Sequence, residues 1–273
     1  MSDLQASFTT IVKEITVRRP LVTLLGPGGK TPACAALVFG IGGRFTRAVA
    51  ADAAELAAVS NALLVDLDQL DTERAAAIIT AAGAAKLHKL PVVLVLTGTD
   101  IVTARRELAQ KLLTDGEITI VRGTYNECAV VLGIPGLPQG AAGEEVATLA
   151  ENLAGVAAQK FGSVFCVDAG ANVYVSEGKR EVVLNTAAAA LLSKVPAHPV
   201  LAAALYACCA GANADAFAAA ALGQVILGEG AVLAKHFTEK KDGPGTFAVR
   251  LVDGVYNIMQ NWDVFQMQMQ KMH

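Results

Sequence analysis

In this 273-residue chain the residues that could do chemistry lie in a few short segments. Arg122 and Glu127 stand five positions apart in Val121-Arg122-Gly123-Thr124-Tyr125-Asn126-Glu127, where a strand-like run gives way to a loop. A planar guanidinium can clamp phosphate oxygens, and a carboxylate can hold magnesium directly or through water. The same two side chains could equally pair with each other or with backbone. Farther on, Pro196-Ala197-His198-Pro199-Val200 contains one group able to accept a proton near neutral pH, His198. A histidine between prolines is also at home as a satisfied surface residue. Pro196 and Pro199 have no N–H to donate, and their fixed φ disfavours the tight turn that glycines permit, so the segment reads as a poor anion cradle. Gly26-Pro27-Gly28-Gly29-Lys30-Thr31 looks superficially like a phosphate-binding P-loop but misses the glycine spacing, and reads as a surface turn.

These segments need elements to position them. Short β-branched or leucine-rich runs alternate with alanine-rich stretches, the pattern of βα units around a mostly parallel sheet. Strands are expected at Leu21 to Leu25, Ala62 to Leu67, Val92 to Leu96, Ile118 to Arg122, Ser163 to Val167, Asn172 to Ser176 and Glu181 to Leu184. The last two, broken at Glu177-Gly178, read as an antiparallel hairpin at a sheet edge. Thr72 to His88 reads as a helix, with Thr72 as its cap and Asp71 and Glu73 at its positive end. Val200 to Lys235 reads as two deeply packed helices and Glu144 to Lys160 as another. The latter follows a loop marked by Pro135, Gly136, Pro138, Gly140 and Gly143, which could be a lid or a surface crossing. The whole chain, 1–273, is expected to form one domain, with 261–273 as a flexible tail or contact element.

Composition narrows the function classes. Net charge is −3 and the basic residues form no stripe, which argues against a nucleic-acid partner. Polar residues or glycine interrupt every apolar run before the ~20 residues of a membrane span, so no transmembrane segment is expected. Residues 1–19 resemble neither a signal peptide nor a transit peptide, and a cytoplasmic location is the expectation, with an organelle such as the mitochondrion left open. The cysteines are odd in number, five, and lack C-x-x-C spacing, so they are expected to be buried, reduced thiols.

Four segments in order resemble the hydroxyethylthiazole kinase family, of the ribokinase-like superfamily, which phosphorylates the hydroxyl of a thiazole alcohol in thiamine synthesis. They are Val121 to Glu127; Ser163 to Gly178; Leu191-Leu192-Ser193-Lys194-Val195 before a helix; and Gly228-Glu229-Gly230 followed by Gly243-Pro244-Gly245-Thr246-Phe247 and Leu251 to Tyr256. The resemblance implies a ribokinase-like three-layer α/β/α fold with a mostly parallel central sheet plus an edge hairpin. It also implies an ATP site that includes Arg122, Asp168, Gly243 and Gly245, and a magnesium site that includes Glu127.

Against the family pattern, a glycine-rich phosphate loop is replaced by residues 196–200, and Val200 stands where the family carries a Cys or Asp expected to act on the substrate hydroxyl. Asp168 stands in place of a threonine, and at ~4 Å like charges repel by about 4 kcal/mol at an effective dielectric near 20. The segment after the first strand lacks the family's Asn- and Met-bearing stretch. Thr97-Gly98-Thr99-Asp100 replaces an Asp-Pro-Val strand end, with Asp100 as a partial substitute. The expectation is therefore a catalytically degenerate member, retained for structure or assembly and needing no cofactor. The alternative is an active kinase for a thiazole alcohol or related small molecule, using ATP and magnesium. In either case the resemblance implies a homotrimer, or a subunit of a larger assembly.

Overall fold

The computed structural model describes residues 2–116, 118–138 and 144–271. In chain order the elements are α1 (Ser2–Arg18), β1 (Leu21–Leu25), a 3-10 turn (Gly28–Lys30), α2 (Thr31–Gly40), β2 (Arg44–Arg47), α3 (Ala53–Val59), β3 (Ala62–Asp66), α4 (Thr72–His88), β4 (Val92–Val95), α5 (Thr103–Thr114), β5 (Ile120–Thr124), α6 (Tyr125–Leu132) and α7 (Glu144–Phe161). There follow β6 (Val164–Ala169), β7 (Asn172–Ser176), β8 (Glu181–Asn185), α8 (Ala189–Leu192), α9 (His198–Ala212), α10 (Ala216–Phe237), α11 (Pro244–Gln260) and α12 (Trp262–Lys271).

The strands form an eight-stranded sheet in the order β2-β1-β3-β4-β5-β6-β7-β8. Pairings from β2 through β6 are parallel, whereas β6–β7 and β7–β8 are antiparallel. This is the mixed ribokinase-like α/β arrangement that the resemblance implies, with the predicted hairpin at one edge. β3 and β4 are buried at every position, as central parallel strands covered on both faces must be. One apolar core lies between the sheet and α1, α2 and α8 to α12. The other lies on the opposite face, under α3 to α7.

Sequence reasoning missed β2. Its Arg-Phe-Thr-Arg sequence has no apolar alternation, and its basic ends suit an edge strand that must resist pairing with another chain. Arg44 and Arg47 reach back to the main-chain oxygens of Arg19 and Gly26. Residues 262–271 of the expected flexible tail or contact element form a helix, and Trp262 and Phe265 of α12 are buried in the first core. α10 is 22 residues long, and an 18-residue stretch of it has a mean hydropathy of 1.6, long and apolar enough to cross a membrane, which corrects the reading that no stretch of the chain is. Within the fold 72% of that stretch is buried, so it is a core helix. The described part of the predicted lid is fastened down: the Asn126 amide accepts from Leu137 N–H at 2.8 Å and donates to Leu137 O at 3.2 Å. Gly140 and Gly143 lie outside the described residues.

Candidate functional site

In an open α/β sheet the ligand cleft lies beyond the carboxyl ends of the parallel strands. β6 brings Asp168 to that end, and β5 brings Arg122 beside it. Arg122 is paired in register with Val95 and Cys166, and its side chain turns into the layer of α9 and α10, only 2% exposed. Its Nη2 donates to Asp168 Oδ2 at 2.7 Å, and its Nη1 donates to the Tyr206 hydroxyl at 2.9 Å and to Gln224 Oε1 at 3.3 Å. The Tyr206 hydroxyl donates in turn to Gln224 at 2.6 Å. Burial works against the charge of Arg122, but the Tyr206 and Asp168 oxygens outweigh it and keep the guanidinium protonated. Arg122 Nε is buried without a partner, so one donor of the fork remains unused.

Asp168 therefore does not face a phosphate as an isolated negative charge. Burial pushes its carboxyl upward, and Arg122 first, then His198 and the Gly170 N–H, pull it below the usual range. The repulsion expected from an aspartate at this position is cancelled by a cation 2.7 Å away. His198 approaches the same carboxylate oxygen, Nε2 to Oδ2 3.9 Å, with a quarter of its side chain exposed.

The segment 195–201 forms the turn that its prolines were expected to disfavour. Ala197 adopts φ +64° and ψ 19°, the left-handed conformation that a glycine would normally supply. Pro199 falls in the first turn of α9, where an N–H would have no intrahelical partner. His198 N–H bonds to Val195 O and Val200 N–H to Ala197 O, which leaves the Ala197 N–H as the main-chain donor without a partner in the turn. Gly243 caps α11, with Pro244 at its first position. A Cβ added at Gly243 or at Gly245 would meet nothing within 4 Å, so the backbone there is open to a close-lying ligand. No hydrogen bond or ion pair ties Gly243 or Gly245 to Arg122, Asp168 or His198.

Glu127 is not the partner of Arg122. It forms a capping box at the start of α6: Oε2 accepts from Thr124 N–H at 2.8 Å, and the Thr124 hydroxyl accepts from Glu127 N–H at 3.3 Å. Its Oε1 accepts from Gly98 N–H at 2.7 Å, joining the turn after β4 to the start of α6. Burial raises its pKa against these N–H donors, and the charge of Asp100 adds to the rise, so Asp100 is within electrostatic reach. Among the described residues no group of three ligating side chains is assembled. A magnesium ion at Glu127 would thus depend on water, Asp100 and phosphate oxygens, a coordination that suits this ion.

The largest charged cluster at the cleft was not foreseen. Lys30, on the supposed surface turn, donates to Asp66 at 2.6 Å and lies 3.0 Å from Asp68, while Arg105 lies 3.3 Å from Asp68. Thr97 Oγ1 donates to the second oxygen of Asp66 at 2.7 Å, and Asp66 is fully buried. Burial lowers the Lys30 pKa, but the two carboxylates raise it more. The turn Gly26 to Thr31 is therefore locked into the carboxyl end of β3. Asp66 and Asp68 carried a signal, being acids at the end of an apolar strand. Tyr206 and Gln224 carried none.

Comparison with known proteins agrees with this arrangement. The sequence model of the hydroxyethylthiazole kinase family matches residues 12–261. A protein of Clostridium botulinum (strain Eklund 17B / Type B) named hydroxyethylthiazole kinase is 26% identical over 256 residues, 92% of this chain and 91% of its own length. A protein of the same name from Methanocella arvoryzae is 25% identical over 253 residues, 92% of this chain and 93% of its own. The solved hydroxyethylthiazole kinase of Pyrococcus horikoshii OT3 has the same fold, with a TM-score of 0.82, 24% identity and 94% coverage of both chains. Bacillus subtilis pyridoxal kinase has it more loosely, with a TM-score of 0.56, 13% identity, and 81% of this chain and 93% of its own covered. These matches overturn the expectation of a degenerate chain that is not an enzyme, because the family match runs across residues 196–200 and kinase-named relatives align over more than nine-tenths of the chain. Two supports of that expectation also fail structurally: Ala197 makes the turn, and Arg122 neutralises Asp168. The chain belongs to the hydroxyethylthiazole kinase family.

Proposed function

We propose that this protein is an ATP-dependent kinase that phosphorylates the hydroxyl of a thiazole alcohol or a closely related small alcohol, with magnesium. The observation that carries this reading is the left-handed turn at Ala197, which opens α9 with a free N–H beside the neutralised Arg122–Asp168 pair. Phosphoryl transfer is chiefly positioning and charge stabilisation, and these residues supply both. The Ala197 N–H and the positive end of α9 would receive phosphate oxygens, and the open backbone at Gly243 and Gly245 would admit the nucleotide. Glu127, with Asp100, would hold magnesium, which when bound draws negative charge from the phosphate oxygens. The locked Lys30–Asp66–Asp68 cluster would shape the far wall of the cleft.

Purified protein incubated with 4-methyl-5-(2-hydroxyethyl)thiazole, ATP and magnesium should produce ADP and the phosphorylated alcohol in equal amounts. No product with this alcohol or a panel of related heteroaromatic alcohols, with no ATP binding by calorimetry, would refute the reading.

We also infer a homo-oligomer, a trimer by family resemblance, rather than a subunit of a mixed assembly. Phe39 of α2 and Val249 and Tyr256 of α11 are exposed at 57%, 67% and 49%, and α2 packs on α11, so they offer an apolar surface for a second copy. Light scattering after gel filtration should give about three chain masses, and a monomer at micromolar concentration would defeat the inference.

A further inference from the structure

Transfer of a phosphoryl group to an alcohol requires a destination for the hydroxyl proton, and most carboxylates at this end of the sheet are already engaged. Asp66 accepts from Lys30 and Thr97 and has no exposed surface. Asp68 lies between Lys30 and Arg105, which hold its pKa below the usual range against the effect of burial. Both oxygens of Glu127 accept main-chain N–H groups. Asp168 is bound by Arg122 and acidified by it, which makes it a weak base. His198 differs from all of these. Among the described residues its polar contact is with Asp168 through Nε2, 3.9 Å away, a quarter of its side chain meets solvent, and it opens α9 beside the Ala197 turn.

We propose that His198 is the general base of the transfer and that Asp168, held by Arg122, is the residue that positions it. The proposal rests on the kinase reading above and adds the proton path to it. With Nε2 turned towards Asp168, 3.9 Å away, Nδ1 carries the free lone pair. The hydroxyl proton passes to Nδ1 as the alcohol oxygen bonds to the γ-phosphorus. The bond from that phosphorus to the β-phosphate oxygen breaks, its electron pair leaves with ADP, and the imidazolium later returns its proton to water. The geometry follows the logic of a carboxylate-oriented histidine, in which the acid fixes the ring and stabilises the imidazolium without taking the proton itself. The separation exceeds a hydrogen bond, and tightening on substrate binding is the ordinary behaviour of such pairs.

The charged and titratable groups on this side of the imidazole are Asp168 from β6, Arg122 of β5 behind it, and the Tyr206 hydroxyl of α9 bound to Arg122. Arg122 stays protonated throughout the working range, and Asp168 stays ionised above its lowered pKa.

The test compares wild type, His198→Gln and His198→Ala in ATP-dependent phosphorylation of the thiazole alcohol between pH 5.5 and 8.5, with thermal melts to confirm folding. The wild-type kcat should fall on the acid side as one proton is taken up. His198→Gln should lose about 10²–10⁴-fold in kcat, lose that acid limb, and keep its KM for ATP within about threefold. Added imidazole should restore part of the His198→Ala rate, which a structural role would not allow. Independently of turnover, the His198 ring resonances should shift when the alcohol and a non-hydrolysable ATP analogue bind together. No wild-type turnover would overturn the kinase reading and this assignment with it. Wild-type turnover that His198→Gln retains within about threefold, or a His198→Ala variant unresponsive to imidazole, would overturn the assignment alone.

Discussion

Replacing Arg122 with methionine keeps the length of a buried side chain and removes the cation that organises the cleft. The variant leaves Asp168, 15% exposed, without its partner at 2.7 Å. The Tyr206 hydroxyl still has Gln224 at 2.6 Å, so that polar group stays satisfied. The cost is therefore mainly that of stranding one charge, about 3–5 kcal/mol for a fully buried pair. The residual exposure of Asp168 places the expectation near the lower end, about 3 kcal/mol, or a loss of roughly 5 °C in Tm for a chain of this length. The pH dependence fixes the mechanism. In the wild type the Asp168 pKa is depressed, so its contribution is present above the unfolded value of about 3.9 and is lost only as pH falls through the folded one. In the variant the effect of burial dominates and raises that pKa. A raised acid costs stability as pH rises through it and returns that stability as pH falls, so the gap between variant and wild type should narrow from pH 7 to pH 5. Urea unfolding followed by the single tryptophan, Trp262, buried in the first core, measures both gaps. A gap below about 1 kcal/mol at pH 7, or one unchanged at pH 5, would show that the pair does not hold the cleft together.

Other substitutions address the remaining parts. A Cβ at Gly254 would stand 2.2 Å from the Gly230 carbonyl oxygen, where α11 crosses α10, so Gly254→Ala should lose at least about 1–3 kcal/mol in the same unfolding measurement. Gly245→Ala meets no such obstacle and should leave stability within about 0.5 kcal/mol of wild type. In the kinase assay it should nevertheless raise the KM for ATP several-fold, and an unchanged KM would remove residue 245 from the nucleotide site. Glu127→Gln keeps one acceptor oxygen where two main-chain N–H groups need one each, and should lower stability by about 1–2 kcal/mol. The same variant should need about tenfold or more additional magnesium for half-maximal rate, read from a magnesium titration.

Much of the fold could be read from the chain alone. β1, β7 and α4 have the predicted boundaries, because a β-branched run, a polar, glycine-bearing turn at Glu177 to Arg180 and a capped, alanine-rich stretch are local signals. β2 was invisible because an edge strand with basic ends has no buried face to pattern it. The helix at 262–271 was hidden by its Gln and Met content, and what the sequence left open was the burial of Trp262 and Phe265 against distant elements. The candidate residues Arg122, Glu127, Asp168 and His198 were legible by type, but their pairing was not. The sequence left Arg122 to pair with Glu127, with backbone or with phosphate, whereas parallel pairing of β5 with β6 gives it Asp168, 46 residues away, and the packing of α9 and α10 adds Tyr206 and Gln224. Residue types set what each side chain could do. Whether Asp168 repelled a phosphate or was neutralised, and whether Ala197 could turn without glycine, were decided by strand register and helix packing, since electrostatic energy and backbone conformation depend on neighbours that lie far away in the sequence.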